Sequence, residues 1–183
     1  LYRHAPGITA RVYRAPEGEE ECIFHYLDTA TDRAGLGGLT QCFESERVAI
    51  IGLGGTGSYV LDLVSKTPVA EIRSFDGDDL YQHNAFRSAS AASLEDLRDI
   101  PKKVDYFKGI YSKMHRNIVA IPAFLNNSNL HLLDGITFAF VCIDHGPSKK
   151  PIFEKLEKLD VSFIDVGMGL ELEGASLGGI LRV

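Results

Sequence analysis

Cysteine is scarce in this sequence, long apolar runs are missing, and positive charge is outnumbered. The 183 residues include three cysteines, Cys22, Cys42 and Cys142, widely spaced and without a C-x-x-C pair. This excludes a zinc pair within the stretch and fits the buried or free thiols of a cytosolic protein. No apolar run approaches the roughly 20 residues of a membrane span. No secretory signal opens the chain. We therefore expect a cytoplasmic protein with no membrane partner. Lys and Arg number 19 against 25 Asp and Glu, a net charge of −6. Such a balance sets up no strong field toward nucleic acid, so that class of partner is not expected either. There is no internal repeat and no low-complexity tract. The first residue is Leu1 rather than Met, which leads us to expect a piece of a longer chain.

What the sequence does have is a strand running into glycines, Val48-Ala49-Ile50-Ile51-Gly52-Leu53-Gly54-Gly55-Thr56-Gly57-Ser58. Four apolar, mostly β-branched residues read as a buried parallel strand, and an amphipathic helix is expected from Ser58. Gly52 and Gly54 suit a sharp turn lying close to a ligand, and Gly57 suits close packing of helix on sheet. The free N–H groups of a helix start favour a phosphate. Asp76 ends the next expected strand, Glu71 to Asp76. It stands about twenty residues on, where an acidic residue meets ribose hydroxyls in this architecture.

Strand and helix signals then alternate. Asp28 or Thr29 caps a short helix ended by Gly35, Gly37 and Gly38, and another short helix is expected near Leu39 to Phe43. Tyr59, Val60, Leu63 and Val64 form a helical stripe read as core. Further strands are expected over Ile118 to Phe124, Thr137 to Asp144, Val161 to Val166 and Leu177 to Val183. Helices are expected over Leu94 to Leu97, from Pro101 through Met114, briefly to Leu133, and from Pro147. Cys142, ending an apolar strand, is read as core. The fold class is α/β: a Rossmann-like, doubly wound, mostly parallel sheet with helices on both faces. Residues 1–27, with scattered aromatics and the acidic run Glu17 to Glu21, are expected as loops with short strands and compatible with the tail of a preceding domain. Residues 28–183 read as one domain, cut off at its C-terminal end.

Five motifs stand in order: Gly52-x-Gly54-Gly55-x-Gly57, Asp76-x-Asp78, Asn84-x-x-Arg87, Lys103, and Cys142-x-Asp144. Over roughly Glu46 to Gly169 this set resembles the adenylation domain of the ThiF/MoeB family, which includes the ubiquitin-activating enzymes. The resemblance implies adenylation of a carboxylate with ATP and Mg²⁺. The usual substrate is the C-terminal Gly-Gly of a ubiquitin-like or sulfur-carrier protein. It implies that Arg87 and Lys103 hold positive charge on the phosphates, that Asp144 holds Mg²⁺, and that Asp76 takes the ribose. Asn84 is to bond a phosphate or help hold Arg87, and Asp78 is either a site residue or a turn residue. The chemistry matches these types: a carboxylate attacking a phosphate is anion meeting anion, so fixed cations are needed and no general base is. Lys102 beside Lys103 leaves the register open by one. Family members often place an arginine from the second subunit of a dimer onto the phosphates, and Arg33 falls near that position. The usual tyrosine-x-arginine-glutamine pattern is replaced by Thr31-Asp32-Arg33-Ala34. His145 stands where many members have asparagine, and His83 and His145 flank the expected site. A homodimer is implied. A family branch that activates a transfer-RNA-bound carboxylate is disfavoured by the acidic balance but not rejected. The alternatives are an NAD-dependent oxidoreductase, which accounts for the glycines and Asp76 but not for Asn84, Arg87 and Lys103, and a non-catalytic partner subunit of an activating enzyme.

Overall fold

The computed structural model describes residues 22–174 and 176–182. The readings made on residues 1–21, including the acidic run, lie outside the described residues, as does Val183. Five strands form one parallel sheet: β1 (Arg47–Ile51), β2 (Glu71–Phe75), β3 (Ile118–Ile121), β4 (Phe138–Val141) and β5 (Ser162–Asp165), in the order β3-β2-β1-β4-β5. After β3 the chain returns past β2 and β1 to lay β4 on the far side of β1. The strand order therefore reverses between β1 and β4, and a crevice is expected outside the carboxyl ends there.

Strand alternation divides the core in two. Val48 and Ile50 of β1 point to one face, with Ile72, Ile118 and the helix residues Leu61, Val104 and Phe107. Ala49 and Ile51 point to the other, with Phe75, Ala139, Val141, Ile152 and Leu156. Both faces of the sheet are thus covered, which is why β1 reads as a continuous apolar run rather than an alternating one. The helices are α1 (Thr29–Ala34), α2 (Gly37–Thr40), α3 (Gly55–Val64), α4 (Gln82–Ala85), α5 (Leu94–Asp99), α6 (Lys103–Tyr111) and α7 (Gly146–Lys158). Asp28 caps α1 through bonds from the Ala30 and Thr31 N–H groups, and Gly35 closes it in the left-handed conformation. No helix among the described residues is long and apolar enough to cross a membrane.

Several expectations shift. Gly37 and Gly38 do not end α1; they lie inside α2, and Gln41–Phe43 continues it as a 3-10 turn. α3 starts at Gly55, three residues before the expected Ser58. The stripe read as core is split: Val60 and Val64 pack, partly buried, against the core, whereas Tyr59 is 53% and Leu63 66% exposed. The face turned to the sheet is instead Gly57, Ser58 and Leu61. A side chain on Gly57 is sterically impossible there, because its Cβ would fall 1.8 Å from the Gly52 carbonyl oxygen. Close approach selects small residues at Gly57 and Ser58, and Tyr59 and Leu63 are left on the outer side. β3 stops at Ile121, before Pro122, which has no N–H for a ladder. The last expected strand does not join the parallel sheet: β6 (Gly167–Glu173) and β7 (Ser176–Arg182) pair antiparallel as a separate two-stranded sheet.

Residues 23–25 are attached to the domain. Phe24 is buried edge-on against the His115 ring, and the His25 N–H donates to the Met114 carbonyl at 2.9 Å.

Candidate active site

The carboxyl ends of the strands open into a cavity of about 800 Å³. That size is in the range of nucleotide and cofactor sites. Its walls include Gly52, Gly54, Gly55 and Thr56 from the glycine turn, Asp76 and Asp78 after β2, Arg87 after α4, Lys103 at the start of α6, and Asp144 after β4.

The turn is built by backbone requirements. Gly52 has φ of 92°, a left-handed value that L side chains avoid, and a Cβ there would lie 2.8 Å from the Ile143 side chain. Gly54 is the N-cap of α3, with no side chain capping it and open space where its Cβ would be. The N-terminal N–H groups of this ten-residue helix therefore face the cavity unanswered by side chains, an arrangement suited to an anion. Gly57 is not on the cavity wall; its work is the contact with Gly52.

Asp76 is 6% exposed and ties two loops together. One carboxylate oxygen accepts from the Leu53 N–H at 2.7 Å and the other from the Asp78 N–H at 2.9 Å. Each oxygen keeps a second lone pair for a ligand. Lys103 is 5% exposed, with Nζ 2.7 Å from Asp78 Oδ2 and 3.9 Å from Asp76 Oδ1. Of the two adjacent lysines it is Lys103 that lines the cavity. Lys102 turns to the surface, pairing with Asp79 at 2.7 Å and donating to the Gly77 carbonyl at 2.9 Å. The bond to Asp79 raises the Lys102 pKa.

Asn84 is buried beside the cavity and does not line it. Its Oδ1 accepts from the Tyr81 N–H at 2.9 Å and its carbonyl accepts from the Arg87 N–H at 3.1 Å. The link to Arg87 is thus from backbone to backbone, and the Asn84 side chain itself is engaged by the Tyr81 N–H. The Arg87 side chain is exposed and lies over the α3 start, near the position of a Gly55 Cβ, and no ion pair among the described residues occupies it. Asp144 is exposed on the cavity wall, likewise without an ion pair among the described residues. His145 also lines the cavity, with Nδ1 2.8 Å from Ser148 Oγ. His83 does not; its ring stacks on Tyr81 outside. Arg33 is exposed on α1 and is not part of this chain's own cavity wall. Cys142, read as core, is half-buried on the wall, where burial pushes its thiol up to about 12.

Sequence reasoning missed Thr56, Tyr59, Phe124, Leu125 and Ser148, all on the wall. Phe124 was absorbed into a strand; Pro122 was the signal that the chain had already left the sheet.

No protein-family model matches the sequence, and no curated protein matches it. Solved structures do match in fold. Escherichia coli tRNA N6-threonylcarbamoyladenosine dehydratase, TcdA, in complex with ATP, superposes with a TM-score of 0.61 at 17% identity, over 78% of this chain and 63% of that one. E. coli MccB with ATP gives 0.62 at 20% identity, over 79% of this chain and 43% of that one. PaaA gives 0.60 at 18% identity, over 74% and 40%. The chain thus spans less than two thirds of the length of each. The likeness of this chain to all three is one of fold.

Proposed function

We propose that the chain is the nucleotide-binding part of an ATP-dependent enzyme that adenylates a carboxylate and releases pyrophosphate. The observation that carries this reading is convergence. An uncapped helix start, a guanidinium with no ion pair among the described residues and a buried lysine share one cavity with Asp76 and Asp144. The ATP-bound forms of TcdA and MccB support the choice of nucleotide.

The residues then have distinct work. The α3 N–H groups and Arg87 hold the phosphates, and Lys103 adds a second cation from below. As the carboxylate oxygen bonds to the α-phosphorus and pyrophosphate leaves, these groups stabilise the charge that builds there. The nucleophile arrives ionised, so no side chain need remove a proton.

Mg²⁺ fits Asp144, a carboxylate open to the cavity with no cation beside it among the described residues. The described residues gather no group of three or more His, Cys, Asp and Glu that could hold a metal. Mg²⁺ keeps several waters and would take its other ligands from phosphate, so a single carboxylate could hold it. When bound, it would supply charge neutralisation to the phosphates.

For substrate we favour the C-terminal glycine of a ubiquitin-like or sulfur-carrier protein, and a homodimer in which Arg33 of one copy reaches the phosphates of the other. A small carboxylate or a tRNA-bound one is the competing substrate. Calorimetry with Mg-ATP and with NADH tests the reading first. Mg-ATP should bind and NADH should not; the reverse result establishes the oxidoreductase. Pyrophosphate exchange into ATP with each carboxylate class then identifies the substrate, and Asp144→Ala should abolish it.

A further inference from the structure

We propose that Phe124 is the platform on which the base of the nucleotide stacks, and that Asn126 and Asn129 are positioning residues that hold it there. This rests on the nucleotide reading above and names the residue that selects a flat base.

The argument starts from the strand order. Gly52, Asp76 and the residues after β3 lie in succession along the carboxyl edge, because β1, β2 and β3 are neighbours. With phosphates at the glycine turn and ribose at Asp76, the base falls over the end of β3. The wall there is Ala123, Phe124 and Leu125. Phe124 is 61% exposed, an unfavourable place for a phenyl ring with nothing upon it. Its ring rests on Gly77, where a Cβ would come within 2.6 Å of it, so the glycine is what lets the ring sit beside Asp76.

The loop beneath is fastened more firmly than an exposed connection requires. The Phe124 carbonyl accepts from Asn129 Nδ2 at 3.0 Å and from Asn126 Nδ2 at 3.3 Å. Asn129 Oδ1 accepts from the Asn126 N–H at 2.8 Å, and Asn126 Oδ1 accepts from the Ser128 N–H at 2.9 Å and its hydroxyl at 2.6 Å. The Asn126-Asn127-Ser128-Asn129 tract is thus a clamp on one carbonyl. It fixes the backbone of an exposed aromatic on the cavity wall. Pre-set rings of this kind bind bases through their faces, with little dependence on which base.

The chain has no tryptophan, so Phe124→Trp places a lone emitter at the platform. Its fluorescence should be quenched by ATP and unaffected by tripolyphosphate, which carries the phosphates and no base. Phe124→Ala should weaken ATP binding about tenfold and leave tripolyphosphate binding within twofold. Asn129→Ala should lower ATP affinity in the same selective way, while Phe124→Trp retains it. Equal losses for ATP and tripolyphosphate in Phe124→Ala, or an ATP affinity unchanged by it, would overturn the assignment and leave the adenylation reading standing. Failure of the unaltered protein to bind ATP at all would overturn both.

Discussion

Lys103 Nζ lies 2.7 Å from Asp78 Oδ2, the lysine buried and the aspartate half-exposed. A buried ammonium with one close carboxylate and a second at 3.9 Å is held ready and not fully neutralised, because Asp78 shares its charge with solvent. An incoming phosphate can therefore compete for it. Lys103→Gln should weaken Mg-ATP binding by about tenfold or more, the worth of a charge-assisted hydrogen bond. Lys102→Gln, which removes only the surface pair with Asp79, should change it less than twofold. Titration calorimetry on the two variants checks this, and equal losses would mean that the phosphates do not reach the buried lysine.

The two glycines of the turn should separate stability from binding. Gly57→Ala puts a methyl group 1.8 Å from the Gly52 carbonyl oxygen, and α3 must move off the sheet. We expect a loss of about 3 kcal/mol and a melting temperature lower by roughly 6–12 °C. Gly54→Ala meets open space, and its φ of −72° suits any residue. Its melting temperature should stay within a degree or two, while ATP affinity falls because the methyl group occupies space at the helix start. Thermal melts paired with ATP titrations read both effects.

The same contrast explains what the sequence disclosed. Strand β1, the glycine turn and the distance to Asp76 are local features with one physical solution each, so the α/β architecture was legible, and with it the part of the cavity wall formed by Gly52, Gly54, Gly55 and Asp76. The facing of α3 was not. Tyr59 and Leu63 complete an apolar stripe with Val60 and Val64, yet only the two valines pack on the core, and the 1.8 Å distance from a Gly57 Cβ to the Gly52 carbonyl oxygen shows that the inward face of the helix is centred on Gly57, Ser58 and Leu61 instead. Phe124 was hidden for a related reason: in a string of apolar residues, an exposed ring looks the same as a buried one. The pairing of β7 with β6 rather than with the parallel sheet depends on a hairpin contact that apolar content does not encode.

His115 gives the fold a pH dependence. It is fully buried, and burial lowers its pKa from the usual 6.5. Nδ1 accepts from the Asn117 N–H at 3.2 Å, so Nε2 carries the proton and donates to the Val69 carbonyl at 2.9 Å. A second proton would have to sit on Nδ1, facing that N–H. The unfolded chain therefore takes up a proton near pH 6.5 more readily than the folded chain does, and stability falls as pH drops below that value. Between pH 7.5 and 5.5 one histidine can account for a loss of at most about 1.4 kcal/mol. Urea melts at both pH values should show it, and His115→Gln, though less stable throughout, should show a flatter dependence. An unchanged slope would assign the pH dependence to other groups.

Cys142 sits on the cavity wall, next to where activated substrate would lie, yet it is a poor nucleophile. Burial, and then the Asp165 carboxylate, push its thiol up to about 12, with Lys149 opposing only in part. Lys149 is itself engaged by Asp165 at 2.7 Å. At pH 8 only about one thiol in ten thousand is then ionised, and the thiolate is the reactive form. Cys42 is exposed on the surface, its Sγ donating to the Leu39 carbonyl at 2.9 Å. Brief treatment with iodoacetamide at pH 8 should therefore label Cys42 and leave Cys142 untouched, with labelling at Cys142 appearing only in denaturant. Peptide mass spectrometry separates the two sites. Preferential labelling of Cys142 in the folded protein would make it a candidate acceptor for the activated acyl group, and this site would then be able to carry a thioester without a cysteine from elsewhere.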